Sequence, residues 1–267
     1  MGADIKSLRT RIKSVNSTLH LTKAMGLVAS SKIRRATEAM LHGRDYAAAM
    51  GQVLSLLTTS PDCARSPYMQ QREGGKTLLI VIAGDRGLAG GYNANIFRFM
   101  RDYPEAEVLP IGKRACDRYG GEVRTCEGMD SLSAAALATD LCGRFAAGEF
   151  DRVGIVYTRY VSMMSQQPEL RWVLPLTKAA EAPSHAVLFE PDEATILQTV
   201  VPEYVTGEIM SAVRESFASE VVARRMAMDS AGKNAGQMIE DLQLQYNRAR
   251  QGSITQEITE IVAGAGA

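Results

Sequence analysis

Two stretches of this chain contain no proline: residues 4 to about 57, and everything beyond Pro202. Proline inside a helix removes a backbone hydrogen bond and clashes with the preceding turn, so its absence leaves each stretch free to run as one helix. The apolar residues agree. Ile5, Leu8, Ile12, Val15 and Leu19 alternate spacings of three and four, which is the seam of a coiled coil. Met25, Val28, Ile33, Met40 and Leu41 carry a less regular stripe onward. Near the other end, Ala235, Met238, Leu242, Tyr246 and Ala249 repeat in the same way, and Ile254, Ile258 and Ile261 resume the pattern. Residues 203 to about 261 therefore read as a second helix, close to about 90 Å long at the usual helical rise. Helices of that length overhang a compact domain, and two of them are well placed to pair as an antiparallel coiled coil.

Between them the texture changes. Ser60-Pro61 breaks the first helix, and a polar stretch runs through Ser66-Pro67 to Gly74-Gly75. Leu78 to Ile82 is then a continuous apolar run, as expected of a strand covered on both faces. A helical pattern follows through Ile96, Phe97, Phe99 and Met100. Next come a short strand at Val108 to Ile111, a helix from Lys113 to Tyr119, and an alanine-rich helix from Ser131 to Ala147. Val153 to Tyr157 reads as another buried strand, and Trp172 to Leu176 as an edge strand, because Pro175 cannot donate to a central ladder. Strands alternating with helices predict an α/β block with a largely parallel, doubly wound sheet. The expected organisation is an N-terminal coiled-coil helix (1–60), an α/β domain (75–195) and a C-terminal coiled-coil helix (203–267).

Composition narrows the function classes. Lys plus Arg total 30 and Asp plus Glu total 30, a balance that argues against a dedicated nucleic-acid binder. No apolar run approaches the roughly 18 residues that span a bilayer. The opening MGADIKSLRTR has no apolar signal core, and Lys6 sits where a myristoylation pattern wants Ser or Thr, so membrane association is expected only through partners. Cys63, Cys116, Cys126 and Cys142 form no C-x-x-C pair, and the expectation is reduced structural thiols.

The chemistry-bearing motifs are incomplete. Gly84 to Gly91 (GDRGLAGG) follows a strand and leads into a helix, where a phosphate-cradling loop would sit, but its spacing is not G-x-G-x-x-G. Gly74-Gly75-Lys76-Thr77 resembles the end of a P-loop, yet the first glycine would fall at Gln70 and the motif precedes its strand. His20, His42 and His185 lie in separate segments without acidic partners, and Ser30 and Ser31 have no base in reach. No catalytic, cofactor-binding or metal-binding residue is assigned. The informative positions lie on the long helices, which favours a mechanical or scaffolding role.

Three stretches resemble the γ subunit family of F-type ATP synthases. Asp4 to Arg35, DIKSLRTRIKSVNSTLHLTKAMGLVASSKIRR, is similar to that family's N-terminal helix. Asp85 to Asn95, DRGLAGGYNAN, is similar to its glycine-rich segment after the first strand. Phe217 through Val262 contains Ala218-Ser219-Glu220, Arg224, Ala227-Met228 and the block YNRARQGSITQEITEIV. The resemblance implies a coiled coil of the terminal helices with a Rossmann-like domain at its foot. It also implies a non-catalytic rotor shaft inside a ring of three α and three β subunits, docked with an ε subunit on a membrane-embedded c ring. Ion flow through that ring would turn the shaft and drive the β subunits through their states.

Carried over by position, Arg250, Gln251 and Thr255 would contact a β-subunit loop, and Met25 and Arg224 would face the acidic C-terminal part of β. Phe189 and Glu190 would lie at the foot near the c ring and ε. Residues 1 to 45 carry nine Lys or Arg (Lys6, Arg9, Arg11, Lys13, Lys23, Lys32, Arg34, Arg35, Arg44) against three acids, which suits attraction to acidic loops that is steerable and salt-screened. The apolar side of Ile254 to Ala267 and its Ala-Gly tip suit turning within an apolar sleeve. Gly26 and Gly252 depart from the family pattern; each costs a helix about 1 kcal/mol and predicts a softer shaft. No regulatory cysteine insert and no transit peptide are seen, so the expected location is the cytoplasmic face of a bacterial cell membrane, as a peripheral protein. Two other readings stay open: a coiled-coil scaffold or adaptor with an α/β head, and a small nucleotide-dependent enzyme resting on the glycine-rich segment.

Overall fold

The computed structural model describes residues 2–72, 74–178 and 188–265; His185 lies outside the described residues. In chain order the elements are α1 (Gly2–Thr59), β1 (Thr77–Ile82), α2 (Tyr92–Phe99), β2 (Glu107–Ile111), α3 (Lys113–Tyr119), α4 (Ser131–Ala146), β3 (Arg152–Ser162), β4 (Ser165–Leu174) and α5 (Glu193–Ala265). They form two compact units: residues 1–31 with 224–267, and residues 32–223.

The second unit is built on a four-stranded sheet of order β2-β1-β3-β4. β1 pairs in parallel with β2 and β3, so the continuous apolar run of β1 is central, as its sequence predicts. Alternation sends its side chains to two cores. Leu78, Ile80 and Ile82 join Leu141, Phe145 and the start of α5, while Leu79 and Val81 join Ile96, Met100 and Val156. The expectation of a largely parallel sheet holds for three strands and is corrected at the fourth. β3 runs on to Ser162 and returns as an antiparallel hairpin, β4, which forms one edge. Pro110 and Pro168 both lie in edge strands, where a missing N–H is harmless.

The second long helix begins at Glu193, ten residues before the expected start, and Pro202 lies inside it. Asp192 caps it, accepting from Thr195 N at 2.8 Å. Leu197, Val201, Val205 and Ile209, spaced by four, are all fully buried in the main core. At about 2 kcal/mol for each buried side chain, this stripe outweighs the roughly 3 kcal/mol penalty of an interior proline.

In the first unit α1 and α5 pair antiparallel. A Cβ on Gly26 would meet Met228 Cβ at 3.5 Å, and one on Gly232 would meet Thr22 Oγ1 at 3.7 Å. On α1, Ile5, Leu8, Ile12, Val15, Leu19, Thr22, Gly26 and Ala29 are buried or half-buried, and apart from Met25 every residue between them is exposed. The partner seam is Met228, Gly232, Ala235, Ile239, Leu242, Tyr246, Ala249 and Ser253. Met238, expected on this seam, is instead 44 % exposed, and its neighbour Ile239 takes the place. Ile254, Ile258 and Ile261 are exposed as well. The pairing register puts Gly2 opposite residue 252, so these isoleucines have no α1 residue beside them.

All four cysteines are free and buried. Burial pushes the Cys142 thiol up to about 12, and burial together with Asp85 pushes Cys126 well above its ordinary value. Buried thiols are out of a reagent's reach, so an aromatic disulfide reagent at pH 8 should leave all four unlabelled in the native chain and label them in denaturant. Two glycines should respond oppositely to alanine. At Gly112, with φ +92°, a Cβ would stand 1.8 Å from Ala83 O, so Gly112→Ala should lower the urea-unfolding free energy by more than about 2 kcal/mol. Gly26→Ala adds a Cβ at ordinary contact distance from Met228 and should raise helix stability by about 1 kcal/mol, read by thermal circular dichroism.

Candidate functional site

In an open α/β sheet, ligands enter the crevice outside the carboxyl ends of the strands, where the strand order reverses. Here that place lies beyond β1 and β3, beside the Gly84 to Gly91 segment, and it is filled by α5. Ser216 Oγ accepts from Thr158 N at 3.2 Å, Ser219 Oγ donates to Thr158 O at 3.2 Å, and Tyr92 OH donates to Ser216 O at 3.0 Å. Burial, with Glu220 nearby, pushes the Tyr92 phenol well above its ordinary pKa.

The glycine-rich segment has backbone donors of the kind that cradle an anion, and the protein's own side chains accept from two of them. Arg86 N donates to the buried Glu220 at 3.4 Å, and Gly84 N donates to Asn93 Oδ1 at 2.8 Å. The Asp85 carboxylate accepts from Lys113 N, Cys126 N and Glu127 N at 3.1, 3.0 and 2.9 Å, stapling the ends of β1 and β2 to the following loop. A phosphate taking the Arg86 N–H would have to displace the Glu220 carboxylate, and one taking the Gly84 N–H the Asn93 side chain. The crevice is thus a joint between sheet and helix.

A second polar cluster lies alongside. Arg44 of α1 forks onto the Glu215 carboxylate of α5 and donates to Tyr160 O of β3 at 2.8 Å, while Tyr160 N donates to Glu215 at 2.9 Å. The hydrogen bond to Glu215 raises the Arg44 pKa above its ordinary value. Arg171 of β4 pairs with Glu208 at 2.8 Å and also reaches Tyr157. In the sequence Arg44 is one of nine basic side chains of residues 1 to 45, and no motif marks Glu208 or Glu215. The signal present in the sequence is the spacing of two glutamates seven apart on a helix, which puts both on one face.

The sequence-derived positions are spread along the chain. Met25 and Arg224 are half-buried, and Arg250, Gln251 and Thr255 are exposed on α5. Thr255 Oγ1 donates to Gln251 O at 2.9 Å, so these two share a face. Arg224 and Arg250 are separated along α5 by about 39 Å of helical rise. Phe189 packs at the margin of the main core, and Glu190 is exposed. Of the nine basic residues, Lys32 pairs with Glu127 at 2.8 Å, whereas Lys6, Arg9, Arg11, Lys13 and Lys23 are exposed. Among the described residues no group of His, Cys, Asp and Glu is arranged to hold a metal, and no helix is long and apolar enough to cross a membrane.

Comparison with known proteins matches this arrangement. The family described as ATP synthase matches residues 4–267. The ATP synthase gamma chain of Geotalea uraniireducens is 38 % identical over 281 residues, covering 98 % of each chain. That of Ruminococcus albus is 39 % identical over 277 residues, covering 97 % of this chain and 96 % of the relative. Among solved structures, a chain of the Euglena gracilis mitochondrial ATP synthase (OSCP/F1/c-ring) superposes with a TM-score of 0.70 at 19 % identity, covering 100 % of this chain and 95 % of that one. A chain of the Tetrahymena thermophila mitochondrial central stalk and c-ring gives 0.62 at 23 % identity, covering 79 % of this chain and 99 % of that one. The two structures share the fold of a long helical pair with a small sheet domain, and the near-full-length gamma chain relatives share the sequence as well: this chain belongs to the ATP synthase gamma chain family.

Proposed function

We propose that the chain is the central rotor shaft of an F-type ATP synthase, without an active site of its own. It couples rotation of an ion-driven c ring to cycling of catalytic β subunits, and it assembles with three α and three β subunits, an ε subunit and the c ring. The observation that carries this reading is the filled crevice: the one place where this fold would hold a nucleotide is used to clamp α5 to the sheet. Family membership supplies the partners, since the gamma chain relatives are named for that complex.

Within this reading the exposed α5 positions Arg250, Gln251 and Thr255 contact a β-subunit loop, and Met25 and Arg224 face its acidic C-terminal part. The exposed basic side chains of α1 supply long-range attraction to acidic surfaces without locking the shaft in one orientation. Ile254, Ile258, Ile261 and Val262 are 43 to 71 % exposed, a density of apolar surface that suits enclosure in an apolar sleeve. Phe189 and Glu190 belong to the foot facing ε and the c ring. The chain works at the cytoplasmic face of a bacterial cell membrane, held there by its partners.

Affinity capture of the tagged chain from its native membranes, followed by native mass spectrometry, should recover one copy with three α and three β subunits. A lone chain, or one bound to unrelated proteins, would favour a coiled-coil scaffold instead. In the assembled complex Arg250→Ala and Gln251→Ala should each lower coupled ATPase turnover by about tenfold, the loss of roughly one good polar contact. Turnover unchanged in both variants would remove these residues from the β interface.

A further inference from the structure

The cluster around Glu215 has an unusual connectivity. Glu215 is 1 % exposed, and its carboxylate is bonded to a side chain from α1 and a backbone N–H from β3. Arg44 in turn donates to the carbonyl of the same β3 residue, Tyr160. Three elements that adjoin nowhere in sequence are thus tied pairwise, each to the other two, through three residues. The helices come to backbone contact beside it, where a Cβ on Gly43 would lie 3.3 Å from Ser211 Cα. Two turns earlier on α5, Glu208 makes the same kind of tie to Arg171 of β4.

The Glu215 carboxylate is desolvated while the Arg44 side chain stays 39 % exposed, so desolvation of the acid and solvent screening of the cation offset most of their attraction and the pair adds little net stability. What it does add is geometry. A forked guanidinium–carboxylate pair is directional, so it adds a specific resistance to sliding and twisting on top of that of the close-packed apolar side chains. We propose that Arg44 and Glu215 form a torque pin: positioning residues that make α1, α5 and β3 turn as one body under load. The inference rests on the shaft reading, in which load enters through the sheet-bearing unit and leaves along both helices.

The test uses the full chain assembled with α and β subunits, carrying a bead on the sheet-bearing unit. Three forms are compared: wild type, Arg44→Met, and the double variant Arg44→Met/Glu215→Leu. The single variant leaves a carboxylate buried without its cation and should unfold at lower temperature. The double variant removes both charges and keeps the volume; because Tyr160 N–H and C=O lose their partners, it should unfold below the wild type but above the single variant. Its angular fluctuations in the nucleotide-waiting dwell should broaden, reporting a torsional stiffness reduced by about twofold or more. ATP hydrolysis without load should stay near the wild-type rate. Wild-type stiffness in the double variant, or softening confined to the single variant, would overturn the pin. Failure of the wild-type chain to turn within the ring would overturn the shaft reading itself, a result seen before either variant is measured.

Discussion

A helix that places Glu208, Ser211, Glu215, Ser216, Ser219 and Glu220 on buried turns cannot rest on an apolar surface, because each polar group left without a partner costs about 1–3 kcal/mol. Much of the sheet-bearing unit answers that demand, with the Ser211 hydroxyl left without a hydrogen-bond partner among the described residues. The end of β3 offers both its N–H and its C=O at Thr158, α1 offers Arg44, β4 offers Arg171, and the glycine-rich segment offers the N–H of Arg86. Satisfying α5 uses up the strand ends and loop amides that a cofactor would otherwise occupy.

The coiled-coil unit follows a different rule. Its seam is regular in spacing but modest in substance, with Thr22, Gly26 and Ala29 on α1 facing Met228, Gly232 and Ala235 on α5. Small residues bring the two backbones close, and the pairing relies on an unbroken register more than on large buried side chains. Gly26 has a place here that its helix propensity alone would not suggest: it faces the partner helix at van der Waals distance.

Much of this was legible in the residues. Proline-free stretches marked both long helices, the apolar run at Leu78 to Ile82 marked the central strand, and the spacing of Ile5 to Leu19 marked the seam. The misses have physical causes. Pro202 reads as a stop signal, and only the core stripe from Leu197 to Ile209 shows why the helix passes through it. Met238 and Ile239 are adjacent and both apolar, and the sequence pattern cannot separate phases one residue apart; the partner helix does so. The β3–β4 hairpin turns at Met163-Met164, without the Asn-Gly or Asp-Gly that would have announced it. The polar clamp was hardest to see, since Arg44 looks like its solvated neighbours until Tyr160 and Glu215 are brought to it across the fold.

The strict alternation of three and four along the α1 seam also fixes a handedness. A repeat of 3.5 residues falls short of the α-helical 3.6, and the mismatch is taken up as a left-handed supercoil. A two-stranded rope of fixed hand tightens when wound one way and opens when wound the other. For the coiled-coil unit, clockwise and anticlockwise loads are then different mechanical problems, and the chirality of an amino-acid repeat becomes a directional preference in how the pair yields.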